Sequence, residues 1–211
     1  MLEVPVPPET KERVISVVCN DKLYVFGRRP REPSCAGECF DLTTGDCQVL
    51  PMMPEPREGF CVAVLEDAIY VCGGWDGESV YYSRVDIFSN TSRTWYRGPD
   101  MLHKRRGATA IEVSGVILVA GGNNEPNRSL QSAEIFNGRT KKWSQVGDMN
   151  TPREGSTSVA MGDGRVMVIG GRQRTGTPPH ERENEEAEAS RRQLASARND
   201  VVFEEEKHPQ E

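Results

Sequence analysis

Histidine is scarce in this chain: three in 211 residues, namely His103, His180 and His208. That excludes a histidine-rich metal centre and leaves little for a serine–histidine–aspartate triad to work with. No glycine-rich loop has the spacing that cradles phosphate. No run approaches the about 18 apolar residues that a membrane-spanning helix needs. Positive charge is not concentrated either. The net charge is -6, and the one basic run, His103-Lys104-Arg105-Arg106, reads as a solvated lead-in between strands. Binding of nucleic acid through phosphate neutralisation is therefore disfavoured. The opening residues Met1-Leu2-Glu3-Val4-Pro5-Val6-Pro7-Pro8 have neither the basic start nor the apolar core of a secretory signal. The expected setting is cytoplasmic or nuclear. Cys19, Cys61 and Cys72 lie in apolar runs and read as small hydrophobes. Cys35, Cys39 and Cys47 do not match zinc spacing. No catalytic residue, metal or cofactor is expected, and the chain reads as a non-enzyme.

What is present is periodic. Gly73-Gly74, Gly121-Gly122 and Gly170-Gly171 follow one another at steps of 48 and 49 residues, each closing a short apolar run. Other columns keep the period: Phe40, Phe88 and Phe136; the acids Glu38, Asp86 and Glu134 two residues before them; Trp95 and Trp143. Gly59, Gly107 and Gly155 step by 48, as do Arg57, Arg105 and Arg153. Gly27 stands in the diglycine column of the first unit, with Arg28 in place of its second glycine. A period near 50 is the signature of a repeat architecture.

Each unit reads as four short strands. In the second unit these are Cys61 to Leu65, Ile69 to Cys72, Val85 to Phe88 and Thr94 to Tyr96, all β-prone and separated by polar or glycine turns. The third unit repeats them at Thr109 to Val113, Val116 to Ala120, Ala133 to Phe136 and Lys142 to Val146. The first is degenerate: Val14 to Val18, Leu23 to Phe26, Cys39-Phe40 and Gln48 to Leu50. A fourth unit begins at Arg153, and its pattern stops at Gly171.

These residues resemble kelch repeats. The matching elements are the apolar run ending in Gly-Gly, the acid two before an aromatic, the tryptophan strand, and a loosely spaced Met-x-x-x-Arg-x-x-Gly-like lead-in. The resemblance covers residues 14 to 171 and implies an all-β fold of four-stranded propeller blades. The expected organisation is an extension over 1–13 and repeats over 14–56, 57–104 and 105–152, with a partial repeat over 153–171. A charged tail, helical or disordered, follows over 172–211. Within it Asp200-Val201-Val202-Phe203 looks like Val85-Asp86-Ile87-Phe88, a third strand displaced by an insertion. About three and a half blades make an incomplete ring. A shortened chain, closure by self-association and an open arc all stay open, with truncation favoured.

The resemblance implies a protein–protein interaction module, with substrate recognition for a ubiquitin ligase as the leading role. A cytoskeletal, actin-associated role and a non-functional propeller fragment are the alternatives. Kelch-like propellers include copper oxidases, but the tyrosines here have no histidine partner. The Asp-box of sialidase propellers is matched only vaguely. The expected partner is a protein, specifically an acidic peptide segment. Arg57, Arg105 and Arg153 would present guanidinium groups to it around the propeller axis. The loops after the diglycines would add Trp75 and Asp76, and Asn123 and Asn124, with Trp75 as an apolar anchor. The competing reading is structural: each arginine pairs with a neighbouring acid, and Trp75 packs its own loop.

Overall fold

The computed structural model describes residues 12–28 and 35–175. The described residues contain strands and turns but no helix. The Asp200–Phe203 fragment and the anticipated helix or disorder of the tail lie outside them.

Three four-stranded antiparallel blades and one two-stranded half-blade follow in chain order. The first holds β1 (Glu12–Cys19), β2 (Lys22–Arg28), β3 (Cys35–Asp41) and β4 (Cys47–Val49). The second holds β5 (Cys61–Leu65), β6 (Ala68–Cys72), β7 (Val85–Ser89) and β8 (Thr94–Arg97). The third is built from β9 (Thr109–Val113), β10 (Val116–Ala120), β13 (Ala133–Asn137) and β14 (Lys142–Val146). Between its second and third strands the loop folds into a small hairpin of β11 (Asn123–Glu125) and β12 (Arg128–Ser129). That hairpin carries no apolar alternation, so the sequence pattern does not announce it. The half-blade is β15 (Glu154–Ala160) against β16 (Val166–Arg172).

Strand alternation explains the aromatic columns. Phe88 sits opposite Trp95, and Phe136 opposite Trp143, on neighbouring strands of one blade. Their ring centroids lie 5.1 and 5.2 Å apart, the separation at which tilted aromatic pairs attract. Each Trp donates its Nε1–H backwards across the blade boundary, Trp95 to the Pro51 carbonyl and Trp143 to the Pro99 carbonyl, both at 2.9 Å. The indole thus fills the core and satisfies its only donor on the preceding unit. Met53, Met101 and Met149, also 48 apart, are buried beside these columns.

The glycines hold the blades together. Gly73 and Gly121 have φ of 68° and 69°, a region that L-residues with a Cβ rarely adopt. A Cβ on Gly73 would lie 2.2 Å from the Arg105 carbonyl oxygen, and one on Gly121 2.4 Å from that of Arg153. This absence of a side chain lets the next blade's lead-in close on the diglycine. Gly74 N–H then donates to Arg105 at 2.7 Å, and Gly122 N–H to Arg153 at 2.7 Å. A second chain of bonds runs through the other glycine column: Gly107 N–H to the Gly59 carbonyl at 2.7 Å, and Gly155 N–H to the Gly107 carbonyl at 2.8 Å. The last described blade face is bare. Val159 and Ile169 are 49% and 46% exposed, whereas Ala63 and Cys72, at the same positions of the second blade, are buried.

Gly121→Ala is expected to cost about 2 kcal/mol or more, from strained backbone and lost closure. Gly147→Ala serves as the control, because nothing lies within 4 Å of its Cβ position; it should leave the urea midpoint almost unmoved.

A candidate partner-binding groove

The three lead-in arginines are divided by the structure. Arg57 and Arg105 are 3% and 1% exposed, with no guanidinium surface left for a partner. Arg57 donates to Asp86 at 2.6 Å, to the Gly73 carbonyl at 2.7 Å and to the Val71 carbonyl at 3.1 Å. Arg105 donates to Glu134 at 2.8 Å and to the carbonyls of Gly121 and Ser132, both at 2.8 Å. The repeated acid is therefore the arginine's partner within its own blade, on the third strand. An exposed partial ring of guanidinium groups at these two positions is corrected to a pair of internal staples. Arg153 is half-buried and donates to the Gly170 carbonyl at 2.7 Å.

The physics of the Arg57–Asp86 pair is that of a buried ion pair. Desolvation is the largest influence on Asp86 and raises its pKa. The Arg84 and Arg57 guanidiniums outweigh it, so the carboxyl titrates below its ordinary value. Burial, the largest influence on Arg57, lowers its pKa while Asp86 raises it. Arg84 completes the cluster with a forked pair of bonds to Asp86, both at 2.7 Å.

A strand turns successive side chains to opposite sides. With the arginines directed inward, the residue between Arg and Gly in each lead-in faces the other way. These residues are Glu58, Arg106 and Glu154. Each pairs in the backbone with the first residue after a diglycine: Glu58 with Trp75, Arg106 with Asn123, Glu154 with Arg172. The two columns share an open groove of 730 Å³, together with Phe60, Tyr81, Asn127 and Arg174. Trp75 and Asn123, two of the residues expected to meet a partner, line this groove. Arg106, Glu154, Arg172 and Arg174 escaped the sequence reading. Alternation against the arginine column was the signal that could have identified the first two.

Inside the groove Arg106 lies over the Trp75 ring, 4.1 Å from its centroid. Gly59 makes room for it, since a Cβ there would come within 2.9 Å of the Arg106 Cγ. The Arg106 guanidinium has no carboxylate partner among the described residues. Tyr81 packs beside Trp75 at 6.5 Å between centroids. On the far side Glu154 is 4% exposed and gathers three neighbours. Arg172 donates Nε–H to it at 2.7 Å, the Arg174 guanidinium forms an ion pair with the same oxygen at 2.7 Å, and Asn123 donates from its amide.

The other anticipated residues are engaged elsewhere or sit at the edge. Asp76 is exposed, but its carboxylate accepts the backbone N–H groups of Glu78, Ser79 and Val80, each at 2.9 Å. Those bonds, that from Glu78 foremost, hold its pKa below the usual carboxylate value. Asp76 shapes the loop that presents Trp75. Asn124 is half-exposed beside the groove. Among the described residues no group of His, Cys, Asp or Glu is placed to hold a metal ion, and no helix is long and apolar enough to cross a membrane.

Similarity to known proteins agrees with this architecture. The model of the KLHDC2/KLHL20/DRC7 Kelch-repeats domain matches residues 3–171. No curated protein matches the chain.

Arg57→Ala should destabilise the fold by about 1.5–3 kcal/mol, because it removes one of the two guanidiniums on the buried Asp86 carboxylate and the donor to the Gly73 and Val71 carbonyls, while Arg84 still pairs with Asp86. Asp86 has a depressed folded pKa, so its contribution is complete above its unfolded value near 4 and is lost as pH falls through the folded value. Wild-type stability, measured by urea unfolding from pH 7 to pH 2, should therefore fall in the acid range. Asp86→Asn should start lower and show a shallower fall.

Proposed function

The chain belongs to the kelch-repeat family, and we propose on that premise that its groove binds an extended acidic segment of another protein. Kelch-repeat domains are protein-interaction modules in general. The observation that carries the finer reading is Arg106. Its guanidinium is preorganised by stacking on Trp75, and among the described residues it has no carboxylate partner. A planar fork held in place loses little freedom when it meets a carboxylate. Trp75 and Tyr81 supply apolar contact at the same spot, the combination found at interface hot spots. Glu154, buried under Arg172 and Arg174, holds the opposite wall, and among the described lining residues the guanidinium groups are those of Arg106, Arg172 and Arg174. An acidic side chain would be bound at the Arg106 end, and flanking apolar atoms would rest on Trp75.

Recognition of a substrate for a ubiquitin ligase is the biological role we attach to this binding. The groove is suited to it because it reads a short segment by one charge and one aromatic contact. A chain with these contacts serves as the recognition element, and the ligase machinery lies in other domains or subunits.

The test is a peptide array carrying acidic segments and their amide counterparts, probed with the full chain. Carboxylate-bearing peptides should be retained, and retention should weaken with added salt. Arg106→Ala and Trp75→Ala should each lower affinity by about tenfold or more while leaving the unfolding midpoint near wild type. Equal binding of acidic and amidated peptides, or no loss in Arg106→Ala, overturns the reading.

A further inference from the structure

The three tryptophans of the chain differ in what they do with the indole N–H. Trp95 and Trp143 each donate it to a proline carbonyl, at 2.9 Å. Trp75 has its Nε1 buried as well, and no acceptor meets it among the described residues. A buried indole N–H ordinarily has a partner. Trp75 is also set apart by position, on the loop after a diglycine and in the wall of the groove.

Beyond Arg106 the same groove holds an atom of the opposite kind. Asn123 is 8% exposed. Its Nδ2 donates to Glu154, and because a carboxylate only accepts, this bond fixes which way round the amide stands. The Asn123 Oδ1 is then buried and has no donor among the described residues. Arg106 connects the two sites. It stacks on the Trp75 ring and exchanges both backbone hydrogen bonds with Asn123, at 2.7 and 2.8 Å. A buried donor or acceptor without its partner is unfavourable, and a ligand that supplies the partner regains that free energy.

One donor and one acceptor flanking a guanidinium define a ligand. An inorganic anion offers acceptors alone and would set negative charge against the Asn123 oxygen. A carboxylate side chain satisfies Arg106 but brings no donor for Asn123. A residue of an extended chain offers both groups, because its own N–H and C=O point to one side, as in the hydrogen-bonded pairs of an antiparallel ladder. We propose that Asn123 and Trp75 form a main-chain clamp: the Asn123 Oδ1 accepts the N–H of one residue of the bound segment, the Trp75 Nε1–H donates to the carbonyl of that residue, and the neighbouring acidic side chain lies on Arg106. Both clamp atoms are covered in the free chain, so engagement takes a side-chain rotamer change in the groove wall, of the kind common when interfaces form. The partner is read twice. Arg106 selects the acid, and the clamp selects an extended backbone that carries an N–H, which refuses proline at the clamped position. Glu154 is a positioning residue, since it holds the Asn123 Nδ2 and thereby the direction of Oδ1. This inference rests on the binding reading above and specifies its ligand.

The probe is an end-blocked Ser-Leu-Glu-Leu-Ser peptide, titrated into the nitrogen-labelled full chain. Its copies carry glutamine in place of glutamate, or an ester oxygen in place of one peptide N–H at a time. The Trp75 indole signal should shift on binding, while those of Trp95 and Trp143, already bonded, stay in place. One ester should lower affinity by about tenfold, and in Asn123→Ala that ester and the parent peptide should bind alike. Trp75→Phe, which keeps a ring beneath Arg106, should also weaken binding by about tenfold. A Trp75 signal that stays in place while the peptide binds overturns the donor half of the clamp. Esters tolerated at every position, or a loss that persists in Asn123→Ala, overturn the acceptor half. Equal affinity for the glutamate and glutamine peptides overturns the acidic reading alone, because the indole shift and the ester scan still report the clamp. Binding of none of these peptides overturns both.

Discussion

The contact on which the structure depends is the approach of an arginine carbonyl to a diglycine of the preceding blade. A Cβ would sit 2.2 Å from the oxygen at Gly73 and 2.4 Å at Gly121, distances no side chain can tolerate. Because the glycines are bare, the lead-in to each new blade closes on the previous one and forms a 2.7 Å backbone bond there. Arg105 then turns its guanidinium into its own blade and meets the third-strand acid Glu134. One residue thus joins two blades, by its backbone on one side and its side chain on the other. Burying these charges is costly, and the cost is met only where the acid and the carbonyls are all in place.

That arrangement also makes the groove. An arginine directed inward forces its successor outward, because strands alternate. The successors are acidic, basic and acidic in turn: Glu58, Arg106 and Glu154. Each is tied through backbone bonds to the residue after a diglycine, and the groove residues come from both columns. Structural and functional columns are therefore adjacent in sequence but opposite in direction. The packing columns keep one residue type through the repeats, whereas the groove columns change from unit to unit. The packing problem is the same at every blade boundary, whereas the groove positions line an open cleft and are not bound by that constraint.

Aromatic packing adds area but follows the same logic of adjacent units. Trp95 and Trp143 each lie on a Phe of their own blade and donate backwards to a proline carbonyl of the lead-in before it. Every blade is completed by its predecessor or successor, as expected of units that cannot bury their faces alone. Val159 and Ile169 show the converse, remaining half-exposed where no described residue covers them.

The sequence by itself determined the blade count among the repeats and the strands to within a few residues. Period-2 alternation, turn residues and the 48-residue columns are local or strictly periodic signals, and they need no knowledge of which residues meet. It also placed Trp75 and Asn123 on the loops that line the groove. Tertiary structure alone decided which way the arginines point. A guanidinium is equally at home on a peptide carboxylate or on a buried aspartate, and composition cannot separate the two. Only the register that sets Asp86 opposite Val71 and brings Arg57 over both resolves that choice. The small β11–β12 hairpin and the stacking of Arg106 on Trp75 were likewise hidden. The stacking joins residues from different repeats, and the hairpin, though local, has no apolar alternation, so neither leaves a periodic signal.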